Sequence, residues 1–297
     1  MLIEKLHVDE VDIDTNLVAE MVAGQFPQWA GLPVKPVFPA GTDNVMFRLG
    51  GRLAVRLPRT PAAALSLEKE LKYPPKLRLW LPAPIPHPLE SGTPTQWYPF
   101  RWSVSTWLEG WNPRTVTSAD TFTLDMARFI RALHAIAPPD ATEELTQYRG
   151  GAVAARELET RTAISRCGEH FDTDALTRAW DIALEAPEGN VPHTWIHTDL
   201  HPGNLLTLQG RLSGVLDWGG LAVGDPAVDL IVAWNLLGGE ARRRFRAELN
   251  VERGMWERGR AWALSIGLVA LPYYEYSNPV LAEVSKYQIR QVLEDIG

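Results

Sequence analysis

The chain has 297 residues, 45% hydrophobic and 22% charged, with a net charge of −7; it can bury one sizeable core or two smaller ones, and its acidic balance speaks against a surface that coats nucleic acid. Its single cysteine, Cys167, excludes an intrachain disulfide and a cysteine-based zinc cluster, and no apolar run approaches the roughly 18 residues of a membrane span. Met1-Leu2-Ile3-Glu4-Lys5 lacks a secretory pattern, so the expectation is a cytoplasmic protein without membrane or nucleic-acid partners, monomeric or weakly dimeric.

From Val34 to about Leu108 the pattern is of short strands with one helix. Val37-Phe38 leads into the turn Gly41-Thr42-Asp43-Asn44, after which Val45, Phe47 and Leu49 alternate as a half-buried strand does. Gly50-Gly51 is a hairpin signal, and Leu53 to Leu57 is the returning strand, ended by Pro58. Good helix formers from Ala62 to Tyr73 predict a helix that stops at Pro74-Pro75. Leu81 to Pro88, with four prolines, reads as extended linker or edge strand, and Trp102 to Leu108 as the next strand. Glu109-Gly110-Trp111-Asn112-Pro113 is the clearest break in the chain.

Beyond the break the period changes. Ser118 can cap a helix carrying Phe122, Met126, Phe129, Leu133 and Ile136 at three- and four-residue steps. Further helices are expected over Ala152 to Arg166 and Thr173 to Leu184, then a hairpin turning at Gln209-Gly210, then helix from Asp225 to the end. These shifts describe an α+β chain: a small strand-rich lobe over 1–108, a hinge at 109–113 and a larger, mostly helical lobe over 114–297.

The chemistry concentrates in His197-Thr198-Asp199-Leu200-His201-Pro202-Gly203-Asn204, followed by Asp217-Trp218 and by Gly224-Asp225-Pro226. Positions 197 to 204 fit the kinase catalytic-loop pattern H-x-D-x-x-x-x-N. One Asp there accepts the proton of an incoming hydroxyl, while an Asn five residues on and an Asp after the next strand hold the magnesium that neutralises phosphates. Asp199 is therefore the expected base, and Asn204 and Asp217 the expected metal ligands. His197 is expected to pack beneath the loop, and Asp225 to tie its amides together. His197, Asp199 and His201 could instead alternate as a metal trio on a strand, but Pro202-Gly203 would end such a strand at once. A single Asp or Asn in a turn is usually a cap; it is the joint spacing that points to phosphoryl transfer.

No Walker or Gly-x-Gly-x-x-Gly pattern occurs, so Gly41 to Asn44 is the candidate loop for laying amides over phosphates. Leu53-Ala54-Val55-Arg56 stands where kinases place V-A-I-K. The chain has six lysines against 23 arginines and none between 36 and 68, which makes Arg56 the expected phosphate cation. Arg48 and Arg52 are its alternatives. Glu70 is its expected partner, with Glu68 the competitor. His134 reads as a core histidine, the aromatics Trp97, Tyr98, Phe100, Trp102, Trp107 and Trp111 as mostly core, and Cys167 as unreactive.

These residues resemble the aminoglycoside phosphotransferase family, whose signature is close to H-G-D-L-H-P-G-N-L-L, then G-V-I-D-W and G-D-P-A-x-D-L. Here the signature runs through Leu206, Gly214 to Trp218 and Gly224 to Leu230. The resemblance implies a bilobal protein-kinase-like fold with the nucleotide in its cleft. It also implies a phosphate transferred from ATP or GTP, with Mg2+, to a hydroxyl of a small molecule. Thr198 replaces the usual Gly, and Arg56 stands where many members carry Lys. Trp256, Glu257, Trp262, Tyr273, Tyr274, Glu275 and Tyr276 lie where the family builds its acceptor site. Acids alternating with aromatics suit an amino sugar, so an aminoglycoside-type antibiotic is the leading expected acceptor. A macrolide, or a small metabolite such as an amino alcohol or sugar, comes next; a nucleotide-binding pseudoenzyme is the rival of another class.

Overall fold

The computed structural model describes residues 11–38, 43–116, 121–140, 142–146, 149–188 and 192–296. They fall into two compact units, one of Met1–Leu79 and Pro84–Glu109, the other of Trp80–Ala83 and Gly110–Gly297.

The first unit holds helix α1 (Thr15–Gln25), strands β1 (Val34–Pro36), β2 (Asn44–Leu49) and β3 (Leu53–Pro58), helices α2 (Pro61–Lys72) and α3 (Pro74–Leu77), and strands β4 (Pro88–Gly92) and β5 (Trp102–Thr106). The strands form one antiparallel sheet in the order β1-β2-β3-β5-β4. Gly50, at φ +59°, makes the β2–β3 turn a left-handed one that glycine enters without steric cost. In the ladder Val45, Phe47 and Leu49 lie opposite Leu57, Val55 and Leu53, so one face is apolar. That face is buried with Val18, Met21, Val22 and Phe26 of α1 and with Tyr98, Trp102 and Val104. Arg56 pairs opposite Met46 in the ladder, and strand alternation turns it to the other face.

Two features here were not expected, and a third meets the expectation. The first helix, α1, was not read from the sequence, although Asp14 accepts from Leu17 N–H at 2.8 Å as its cap. Pro74-Pro75 ends α2 but also starts α3, because a first-turn proline gives up no helical hydrogen bond. The proline-rich linker runs into a true edge strand, β4, irregular between Pro88 and Glu90.

The second unit comprises α4 (Thr121–Ala135), α5 (Glu157–Ser165), α6 (Thr173–Leu184), β6 (Thr194–Ile196), β7 (Leu205–Leu208), β8 (Arg211–Val215), β9 (Ala222–Gly224), α7 (Val232–Asn235), α8 (Gly239–Leu249), α9 (Arg253–Tyr274) and α10 (Pro279–Ile296). The β7–β8 hairpin turns at Gln209 (φ 52°) and Gly210 (φ 73°). The single helix expected over Ala152 to Arg166 is a 3-10 turn, Val153–Arg156, followed by α5. The two-stranded pair β6–β9 was not anticipated. The Ser118 cap lies outside the described residues.

Helix α9 packs against α10, α5 and α6, with Ala261, Trp262, Leu264 and Leu268 buried. It carries Pro272 inside it, which has no N–H for the carbonyl four residues back, at Leu268. The buried Cys167 thiol donates to that carbonyl at 3.7 Å. Burial pushes the thiol up to about 11.

Candidate active site

The catalytic-loop sequence leaves β6 at Ile196 and folds back through a 3-10 turn, Pro202–Asn204, into β7. Asp229 supplies the frame. Its carboxylate accepts His197 N–H at 3.0 Å and Thr198 N–H at 2.8 Å, and His134 Nε2 lies 3.0 Å away. The role expected of Asp225 thus belongs to Asp229, four residues further along the same motif. Asp225 instead caps the turn that follows, accepting from Ala227 N–H at 3.0 Å, and pairs with Arg258 at 2.6 Å. His134, expected in the core, is largely buried and belongs to the loop's network.

Both ring nitrogens of His197 are spent internally. Nε2–H donates to the Leu216 carbonyl at 2.9 Å, and Nδ1 accepts from Asp199 N–H at 3.4 Å. Its ring meets the edge of Trp218 at 4.8 Å. His201 Nδ1 accepts from Gly203 N–H at 3.1 Å, while its Nε2 lies 3.6 Å from Asp199. The metal-trio reading therefore finds no support in how these rings are used. Among the described residues no group of three or more His, Cys, Asp or Glu is placed to hold a metal.

Asn204 donates its amide to the Asp199 carbonyl at 3.0 Å and to the Asp199 carboxylate at 3.1 Å. Leu216 N–H donates to the Asn204 carbonyl at 2.8 Å. Asp217 follows directly, its backbone left-handed at φ 57°, so its approach to the loop is fixed by Leu216 from two sides. Asn112, inside the break read from the sequence, donates to the carbonyls of Pro202, Gly203 and Leu205 at 3.2, 3.0 and 3.0 Å. Nothing in its local sequence pattern signalled that role.

Thr198 adopts φ 72°, and its hydroxyl donates to the Gly220 carbonyl at 3.0 Å. Asp199 keeps 34% of its side chain exposed and pairs with Arg149 at 2.5 Å. Burial works to raise the Asp199 carboxyl; the Arg149 guanidinium overrides it, with His201 and His197 adding, and holds the group well below the usual carboxylate range. It is ionised whenever the protein is near neutral pH, a weak but permanent proton acceptor. Arg149 is placed by its neighbour Gly150, whose carbonyl accepts Asp225 N–H at 2.9 Å. A Cβ on Gly224 would lie 2.8 Å from that same carbonyl, so glycine is required for the approach.

In the first unit, Arg56 and Glu70 form an ion pair at 2.9 Å with side chains only 13% and 11% exposed. Glu68, the competitor, is held by Arg101 at 2.9 Å. Arg48 is held by Glu109 at 2.6 Å and stacks on Trp107. Asn44 begins β2, buried, and among the described residues its side-chain oxygen has no hydrogen-bond partner. Gly41 lies outside the described residues.

A catalytic loop of this build, on a chain with a five-stranded sheet unit and a helical unit, defines a kinase-like phosphotransferase. Residues 36–262 match the family model of the phosphotransferase enzyme family, and the chain belongs to that family. A Bacillus subtilis (strain 168) relative, the uncharacterized protein YcbJ, is 26% identical over 235 residues, covering 75% of this chain and 72% of its own. Solved structures share the fold. The GDP and kanamycin complex of APH(2")-IIia has a TM-score of 0.72 at 18% identity, covering 94% of this chain and 99% of its own. The macrolide 2'-phosphotransferase MphH from Brachybacterium faecium has a TM-score of 0.60 at 22% identity, covering 93% and 97%.

Proposed function

We propose that this chain transfers the γ-phosphoryl group of ATP or GTP to a hydroxyl of a small molecule. The observation that carries the reading is the Asp199–Asn204 arrangement, an ionised carboxylate fixed beside an amide whose nitrogen is already committed to it. The acceptor oxygen forms a bond to the γ-phosphorus as the bond to the β,γ-bridging oxygen breaks. The hydroxyl proton passes to Asp199, and the nucleoside diphosphate leaves. Neighbouring structures hold GDP, ADP or ATP, which supports a nucleotide donor.

Asn204 and Asp217 fit a magnesium site. With its nitrogen donating to Asp199, Asn204 has only its oxygen left to offer a cation, and Asp217 adds a carboxylate. Two hard oxygen donors are what magnesium takes when phosphates supply the rest, and it would neutralise their charge. Arg56, steadied by Glu70, is the side chain we assign to the phosphates in the strand-rich unit.

The test is turnover with MgATP and MgGTP, including slow hydrolysis without acceptor. Asp199→Asn should lower kcat by about 100- to 10,000-fold with nucleotide binding retained. Asp217→Asn should raise the magnesium requirement, and Arg56→Ala the nucleotide KM, with Arg56→Lys recovering part. Wild-type turnover in both Asp variants would sink the site assignment. Nucleotide binding without any turnover would instead identify a pseudoenzyme.

An aminoglycoside acceptor draws support from relatives crystallised with kanamycin or gentamicin. Four of the seven side chains that suggested it here are otherwise engaged. Glu257 is paired with Arg253 at 2.6 Å and Glu275 with His170 at 2.5 Å, while Trp256 and Trp262 are core residues.

A further inference from the structure

The helical unit contains an open cavity of about 390 Å³ between the start of α5 and the end of α9. Its charged wall is mostly arginine: Arg149, Arg156 and Arg166, against a single acid, Glu159. Glu159 is already paired with Arg156, which also donates to the Ser265 hydroxyl at 3.1 Å and is itself buried. Arg166 is exposed and in no ion pair among the described residues. The remaining wall is Thr162 together with apolar or aromatic side chains, including Ile266, Pro272 and Tyr273. Arg149 belongs both to this wall and to the Asp199 ion pair, so whatever sits in the cavity and contacts Arg149 is one side chain away from the base.

We propose that the acceptor of this phosphotransferase is an anionic alcohol, a carboxylate or phosphate ester with an apolar body, whose charge is read by Arg149 and Arg166. The inference rests on the phosphotransferase reading and names the substrate class of that site. A polycationic amino sugar would have to enter a cavity where Arg149 and Arg156 are each matched by one carboxylate and Arg166 leaves a positive charge over. Like charges brought together with partial desolvation oppose binding. An anion meets the reverse: guanidinium groups suited to bidentate pairing, with apolar walls that shed water on contact. A neighbouring shallow depression carries Glu169 and Glu275, but Glu275 is spent on His170.

The experiment needs probes that differ in charge and not in shape. Hydroxy acids carrying an apolar group, such as mandelate, are compared with their neutral amides. Glycerol 3-phosphate is set against glycerol, and kanamycin serves as the cationic arm. Binding is measured calorimetrically without nucleotide, and phosphate transfer with MgATP and MgGTP. The expected result is that charged members bind at least tenfold more tightly than their neutral counterparts, with the acid and phosphate arms showing which anion is preferred, and that kanamycin does not compete. Arg166→Gln and Arg149→Gln should then each raise the acceptor KM about tenfold or more, with the effect on acceptor rather than nucleotide KM. Arg166→Lys should recover part.

Equal binding of acids and amides, absence of saturable binding by every anion, or efficient transfer to kanamycin would overturn the proposal. So would an effect of the arginine variants on nucleotide KM alone. Charge-selective binding with no nucleotide-dependent turnover would support the anionic ligand while removing the phosphotransferase reading, so the two fail separately.

Discussion

Thr198 sits where the backbone turns left-handed just before Asp199, with φ 72°. A β-branched residue in that region costs about 1–2 kcal/mol, which glycine would not incur. Part of the cost is offset by the hydroxyl's bond to the Gly220 carbonyl. Thr198→Ala removes that bond and keeps the strain, whereas Thr198→Gly removes both. Urea denaturation should therefore find Thr198→Gly more stable than Thr198→Ala by about 1 kcal/mol; the opposite order would show that the backbone there is unstrained. The same residue marks how much of the site could be read in advance. Asp199, Asn204 and Asp217 span 19 positions whose spacing is set by one loop and one hairpin, so their order alone made them the candidates. Arg149 and Asn112 act on that loop from 50 and about 90 residues away, and no local pattern records such contacts. Asp229 lay within the motif, and what hid it was the choice of its neighbour Asp225 for the same task.

At the level of elements, the hairpins β2–β3 and β7–β8 were legible because glycine-bearing turns separate alternating runs. Strands β6 and β9, three residues each, are too short for alternation to register. Helix α1 did carry a signal, with Asp14 as cap and Val18, Met21 and Val22 at helical spacing. Its five-residue contribution with Ile13 and Phe26 closes the apolar face of the first unit's sheet. At about 1.5–3 kcal/mol for each fully buried apolar side chain, those residues contribute on the order of 10 kcal/mol, comparable to a whole domain's net stability. A chain trimmed to begin at Pro36, where the family match starts, should therefore be insoluble or melt without cooperativity. A sharp thermal transition within a few degrees of the full chain's would refute this.

Taken as a whole, the molecule warns against reading a site from a total. The chain carries a net charge of −7, yet the charged side chains lining the cavity beside Asp199 are three arginines, two of them matched by carboxylates, and one acid. Net charge sums the surface, whereas recognition depends on the few groups that converge on one concavity. A second whole-chain property is that there is only one thiol, sealed against the Leu268 carbonyl that Pro272 leaves without a helical partner. With its pKa pushed up to about 11, the thiolate fraction is about 100-fold below that of an ordinary cysteine, and burial slows attack further. Alkylation of Cys167 by iodoacetamide at pH 8 should thus be slow and single-phased, its rate set by how often the chain parts between α5 and α9. Labelling as fast as a free thiol would contradict that. Because the cavity's wall is made of the same two helices, an occupant would hold them together and lengthen the labelling time. The protein therefore carries its own stopwatch, one that can report an unidentified ligand by delay alone, before any phosphate has moved.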